Sequence, residues 1–248
     1  MQSSKVPAKT TKAKSASTYH LHRERQRRRI LDAAKALFDE RGIDRTTMAE
    51  IMSASGLRAS TLYEYFSKKD DIVWAIFSEM LEEDSDSAKK SVDGATTGLA
   101  KIMGLLQNMA NQLSNHRVKV RFMAQFDAMY ARDWPVARLL TLEGQLNVQG
   151  FEVFRKLIRE GIADGSLRSD LDPDLTLHAV INAVIGAQRR LALLGTKVEL
   201  EYGQSIDRLF REMIRIIEFG LRSTEPPKTT GPASRAKTRK RSTGKRTS

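Results

Sequence analysis

An all-α fold is predicted by three features of the sequence. Apolar residues recur at helical spacing along most of the chain. No segment sustains the two-residue alternation of a half-buried strand, and only Pro135 and Pro173 interrupt residues 30–222. Ile30, Leu31, Ala34, Leu37 and Phe38 mark one face of a first helix that stops near Gly42. Two short helices follow within residues 47–66, parted at Ser55-Gly56. Leu99, Ile102, Met103, Leu106, Met109, Ala110 and Leu113 form the next stripe, and Phe122, Met123, Phe126, Met129 and Tyr130 another. Leu139, Leu140, Leu146, Phe151, Phe154, Leu157, Ile158 and Ile162 predict one long helix ended between Gly161 and Gly165. Asp172 before Pro173 is an N-cap followed by a first-turn proline, opening the stripe of Leu177, Ile181, Val184, Ile185 and Leu191. Ile206, Leu209, Phe210, Met213 and Ile217 supply the last helix.

The 248 residues suffice for one or two domains with a buried core. The absence of cysteine excludes a disulfide framework and thiolate metal sites. The four histidines, dispersed except for His20 and His22, argue against a histidine-rich zinc site. No apolar run approaches a membrane span, and the polar first 22 residues do not resemble a secretory signal. The net charge of +12 is unevenly placed: residues 1–29 hold nine basic side chains against Glu24, and residues 223–248 hold eight against Glu225. Residues 30–222 carry 25 basic and 28 acidic groups, so the body is slightly acidic and the ends are the basic parts. Such ends point to a polyanion partner or to solubility alone. Residues 1–22 and 223–248 lack core-forming composition and are expected to be disordered.

Residues 47–66 read TMAEIMSASGLRASTLYEYF. Thr47 with Glu50 three residues on is a capping box, and Gly56 permits the left-handed backbone of a tight interhelical turn. Ile51 faces inward, Leu57 is the apolar turn residue, and a second short helix runs through Leu62 to Phe66. Two short helices joined by a glycine turn are a helix-turn-helix, which presents the start of its second helix to the DNA major groove. Helix geometry places Leu62 and Phe66 on one face while Tyr63 points elsewhere.

With the stripe Ile30–Phe38, Gly42, Thr46-Thr47, Gly56-Leu57, Thr61-Leu62-Tyr63, Tyr65-Phe66 and Ser67-Lys68-Lys69-Asp70, the chain resembles the TetR family of bacterial transcriptional regulators over about residues 25–75. Beyond that, the resemblance rests on length, helical pattern and the stretch Gly165-Ser166-Leu167-Arg168 through Asp172-Pro173. It implies that Thr47, Tyr63 and Tyr65 touch backbone phosphate and that Lys69, at the start of the next helix, pairs with phosphate. It places Arg58, Ala59, Ser60 and Thr61 where base edges are read. Arg58 stands where the family often has a Ser or Thr cap, and its alternatives are a phosphate or a guanine edge. Met52 replaces a usual small residue. Glu64 either reads cytosine or is rotated away from the phosphates. Packing within the hairpin is the competing reading for Tyr63 and Tyr65. Arg27 and Arg28, with Arg25 and Arg29, oppose the macrodipole of the first helix, a small cost that a phosphate would offset, with solvated charge alone as the competing reading.

The resemblance implies a layout of a disordered basic arm (1–22), a three-helix DNA-binding domain (23–70), a larger helical ligand-binding and dimerisation domain (71–222) and a disordered basic tail (223–248). Dimerisation is expected through the helices near 175–195 and 203–221, since two subunits about one helical turn apart read a palindrome with multiplied affinity. Phe122, Phe126, Tyr130, Trp134, Glu143, Asn147, His178 and Asn182 are candidate lining for a small-molecule pocket, with core packing as the alternative for the aromatic ones. The expected function is a ligand-responsive, homodimeric repressor on double-stranded DNA, released from a palindromic operator by a small molecule. The competing function is an architectural, nucleoid-type binder whose tails dominate. There is no HExxH, Glu-x-x-His pair, GxGxxG or Walker loop, so no enzyme, cofactor or metal is expected. The expected location is the cytoplasm, on the nucleoid when bound to DNA, with no membrane partner.

Overall fold

The computed structural model describes residues 10–146 and 150–224, with side chains described over 19–142 and 154–224. Its elements are α1 (Thr10–Arg41), α2 (Met48–Ser55), α3 (Ala59–Tyr65), α4 (Lys69–Ser91), α5 (Gly98–Asn115) and α6 (Arg117–Tyr130). They continue with α7 (Val136–Leu146), α8 (Gly150–Ala163), α9 (Pro173–Leu194), α10 (Lys197–Tyr202) and α11 (Ile206–Leu221). Among the described residues the one β-bridge is Leu167 with Arg222.

Two apolar cores are stacked along the chain. The first gathers Ile30, Leu31 and Phe38 of α1, Ile51 of α2, Leu62 of α3, Ile72 and Ile76 of α4, and also Phe122 and Phe126 of α6 and Leu142 of α7. The second gathers Ile102 and Leu106 of α5, Leu157 and Ile158 of α8, Val184 of α9, and Phe210 and Ile214 of α11. The first core therefore runs past residue 70 and draws on two later helices, so the expected boundary at 70 falls inside it.

The stripes from 139 to 162, expected as one helix, belong to two. Leu139 and Leu142 of α7 pack on the first core, whereas Leu157 and Ile158 of α8 pack on the second; residues 147–149 lie outside the described residues. Leu140, counted in that stripe, is exposed. At the other end, α1 already begins at Thr10, so residues 10–22 are its first turns rather than part of a disordered arm. The alanines and lysines there are adequate helix formers, and no proline follows Pro7. Residues 1–9 and 225–248 of the expected arm and tail lie outside the described residues.

Close helix crossings hold the body. A Cβ on Gly98 would lie 2.3 Å from the Gly161 nitrogen, and one on Gly104 would lie 2.2 Å from the Ser91 carbonyl oxygen. Only glycine lets α5 approach α8 and α4 this closely. The stretch 164–168 then ties the body shut. Asp164 accepts from the Gly98 N–H at 2.8 Å, Ser166 Oγ accepts from the Leu99 N–H at 3.1 Å, and the Arg168 N–H donates to the Leu221 carbonyl at 3.1 Å.

Candidate nucleic-acid interface

The first helix of the motif is capped as its sequence predicts. Thr47 Oγ1 accepts from the Glu50 N–H at 3.2 Å, and Glu50 returns a bond from the Thr47 N–H at 2.8 Å. That backbone bond, with the Thr47 hydroxyl and Arg41, holds the Glu50 carboxyl below its usual range. The helix ends at Gly56, whose φ of +63° is the left-handed turn conformation. Arg29 of α1 reaches this turn and donates to the Ser55 carbonyl at 2.7 Å, placing a cation on the negative end of α2. Arg29 is thereby a structural cap, a role opposite to the phosphate contact considered from sequence.

The second helix, α3, starts at Arg58 without any side-chain cap. Leu62 is fully buried and Phe66 is buried, whereas Tyr63 is 55 % exposed. Leu62 and Phe66 therefore hold α3 to the core, and Tyr63 is presented outward rather than packed within the hairpin. Arg58, Ala59, Ser60 and Glu64 are exposed on the same short helix, Thr61 is half-buried, and Thr47 is exposed at the start of α2. Tyr65 is half-buried under the Arg23 guanidinium, 5.4 Å from the ring centroid, so it packs on α1.

Three cationic candidates are engaged inside the protein. Lys69 donates from Nζ to the carbonyls of Ile43 at 2.7 Å, Asp44 at 3.3 Å and Thr46 at 2.9 Å, fastening the α1–α2 corner to the start of α4. Its three ammonium donors all have partners, and none is left pointing at solvent for a phosphate. Arg27 and Arg28 converge with Lys35 on Glu79 of α4, at 2.9, 3.5 and 3.0 Å. Burial opposes ionisation of Glu79, but the bonds from Lys35 and Arg27 outweigh it and keep the carboxyl below its usual range. Nothing in the local sequence marks Glu79 as their partner, because it lies about fifty residues away. Arg45, an exposed residue of the same corner, and Lys68, exposed beside Lys69, are the basic groups that sequence reasoning passed over.

Residues 30–76 match the family model described as bacterial regulatory proteins, tetR family. Over these residues the chain carries the DNA-binding domain of the TetR family. The HTH-type transcriptional repressor KstR2 of Mycolicibacterium smegmatis is 27% identical over 155 residues, spanning 62% of this chain and 74% of that protein. The HTH-type transcriptional regulator TtgR of Pseudomonas putida is 23% identical over 180 residues, 70% of this chain and 83% of that protein. Among solved structures, the ketosteroid transcriptional regulator KstR2 of Mycobacterium tuberculosis aligns with a TM-score of 0.58 at 23% identity, covering 79% of this chain and 95% of that one. The fatty acid degradation regulator FadR from Bacillus halodurans aligns with a TM-score of 0.57 at 20% identity, covering 80% and 97%. The protein is thus a DNA-binding transcriptional regulator and not an enzyme, as its relatives are, and the architectural, tail-dominated alternative finds no support among them. TetR-family regulators bind DNA and small-molecule effectors, usually as dimers. No helix of the described residues is long and apolar enough to cross a membrane.

Of the residues expected to line the effector pocket, Phe122, Phe126 and Tyr130 come together in the first core, whereas Trp134, His178 and Asn182 lie apart from it. Phe122 and Phe126 are buried in the first core, where Phe126 stacks on Phe77 at 3.9 Å and meets Trp74 edge-on at 5.2 Å. Tyr130 donates to Asp70 at the start of α4, and Trp134 is 48 % exposed. His178 and Asn182 lie on the exposed side of α9, with Asn182 Nδ2 donating to the His178 carbonyl at 2.8 Å. Asn147 and the Glu143 side chain lie outside the described residues. The periodicity found their apolar faces correctly but not which neighbour covers each face. Long-range ties instead join α6 and α7 to the DNA-binding helices. Gln125 accepts from the Ile43 N–H at 2.9 Å, Arg121 pairs with Asp39, and Arg138 reaches Asp70 at 3.0 Å while lying 4.0 Å over the Trp74 ring.

Proposed function

We propose that this regulator is a homodimeric repressor that reads a palindromic operator with α3 and is released by a small, largely apolar effector. The observation that carries the reading is the outward face of α3, where Arg58, Ala59, Ser60 and Tyr63 stand together above the buried Leu62 and Phe66. Thr47 and Tyr63 supply phosphate contacts, residues 58–61 face the base edges, and Arg45 and Lys68 take the phosphate role first assigned to Lys69. Arg27 and Arg28 contribute only by leaving Glu79, and Tyr65 by releasing Arg23.

Dimer formation is supported by an uncovered apolar face. Leu175 and Phe219 are each 72 % exposed and Ile216 is 62 % exposed, and an open groove with Ala179, Ala183 and Gly220 runs between α9 and α11. A second copy packing here makes a four-helix interface to which His178 and Asn182 belong. Apolar effector chemistry fits the second core and the ketosteroid and fatty-acid names of the related regulators. Effector binding there acts on DNA through the ties of Gln125, Arg121 and Arg138, which join α6 and α7 to α1 and α4. In this reading α1 to α3 and the first turns of α4 form the DNA-reading unit, the later helices the sensing and dimerising unit, and the basic ends add sequence-independent affinity. The protein works in the cytoplasm, on the nucleoid when bound.

A mobility shift on a palindrome from its own promoter region tests this. Tyr63→Ala is expected to weaken operator binding about tenfold, the loss of one or two phosphate-side contacts. Deleting 1–22 and 223–248 is expected to weaken operator and scrambled duplexes alike, with a salt slope lower by about 0.9 per lost phosphate contact. Equal binding of operator and scrambled duplex by the intact protein would overturn the proposal.

A further inference from the structure

A cavity outside the second apolar core lies where α1, α4 and the α5–α6 turn meet. It measures about 680 Å³, within the range of small-molecule sites. Phe38 of α1, Met80 of α4 and Phe122 of α6 form an apolar floor, and Val118 stands at its rim. The charged groups around it are accounted for, with one exception. Lys35 is held by Glu79 at 3.0 Å, Asp39 pairs with Arg121, and Lys119 bonds Glu83 at 3.2 Å and Asp84 at 2.6 Å. Arg117 is half-buried in the wall, and its Nε is buried with no hydrogen-bond partner. A buried guanidinium N–H without an acceptor is costly, and an anionic guest that receives it offsets that cost. Arginine suits carboxylate and phosphate oxygens equally, since its planar fork matches both.

We infer that this cleft binds an amphipathic organic anion, with its carboxylate or phosphate on Arg117 and its apolar body against Phe38, Met80 and Phe122. The cleft also reaches Gln125, which accepts from the Ile43 N–H and donates to the Phe38 carbonyl at 3.3 Å. A guest therefore touches the residue that fastens α6 to the corner before the helix-turn-helix. Its binding stands independently, whereas its influence on DNA rests on the ligand-responsive reading above.

Titration calorimetry of the full-length protein with decanoate, decyl phosphate and decanol, below micelle-forming concentrations, tests the site. At least one of the two anions is expected to bind once per subunit, at least tenfold more tightly than decanol, and the preferred anion identifies the headgroup. Arg117→Gln is expected to erase that preference by tenfold or more. Val118→Trp, which fills the rim while leaving the charge, is expected to weaken the anion as well. Binding of the anion within twofold of wild type by both variants, equal binding of decanol, or no binding of any probe would overturn the proposal. Operator affinity measured with the bound anion separates the two claims: unchanged DNA binding leaves the site standing and removes only its regulatory link.

Discussion

Phe219→Asp is expected to turn the protein into a monomer and to lower operator affinity at least about a hundredfold. Phe219 is 72 % exposed on α11, three residues from the exposed Ile216, and its neighbour Gly220 lines the groove shared with Leu175 of α9. In a two-fold dimer the same patch meets itself, so one substitution acts twice. Each phenylalanine forfeits roughly 1.5–3 kcal/mol of burial, and each carboxylate brought into the interface adds a desolvation penalty. Linking two half-site contacts multiplies affinity by about 10² to 10⁴, and a monomer loses that factor. Sedimentation velocity and operator titration read the two effects. A Phe219→Asp protein that stays dimeric would place the interface elsewhere.

Lys69→Ala is expected to destabilise the protein by about 2–3 kcal/mol, because three carbonyls of the α1–α2 corner lose a charged donor. In a chain of this size that corresponds to a fall in melting temperature of about 5 °C or more. Lys69→Arg is not expected to restore it, since a planar fork does not reproduce three convergent ammonium bonds. The salt dependence of operator binding should stay unchanged when compared below the melting range. An unaltered melting temperature with a salt slope lower by about 0.9 would instead make Lys69 a phosphate ligand.

What could be seen in the sequence was whatever neighbouring residues decide among themselves. The Thr47–Glu50 capping box, the Gly56 turn and the inward Leu62 and Phe66 against the outward Tyr63 all depend on spacings of four or fewer. Contacts made across the fold were not visible. Lys69, Arg27 and Arg28 have long side chains that serve a phosphate or a protein acceptor equally, and the acceptors, the Ile43 carbonyl and Glu79, are 26 and 52 residues away from Lys69 and Arg27. Helical period likewise shows that Phe122 and Phe126 face something apolar, but not that the neighbour is α4 of the DNA-binding unit. The pocket assignments meet the same ambiguity. An aromatic stripe has one signature whether it faces a ligand or another helix, and here Phe126 packs on Trp74 and Phe77 of α4.

Two copies of α3 read DNA in fixed register in the proposed dimer, and selection from a pool of randomised duplexes examines this most directly. The enriched sequences should share a palindrome with half-sites about one helical turn, roughly 10 base pairs, or a multiple of it apart. Changing Ser60 or Thr61 should alter the selected bases, while removing the basic ends should leave them unchanged. A pool in which nothing is enriched, or a single half-site selected without its mate, would contradict it.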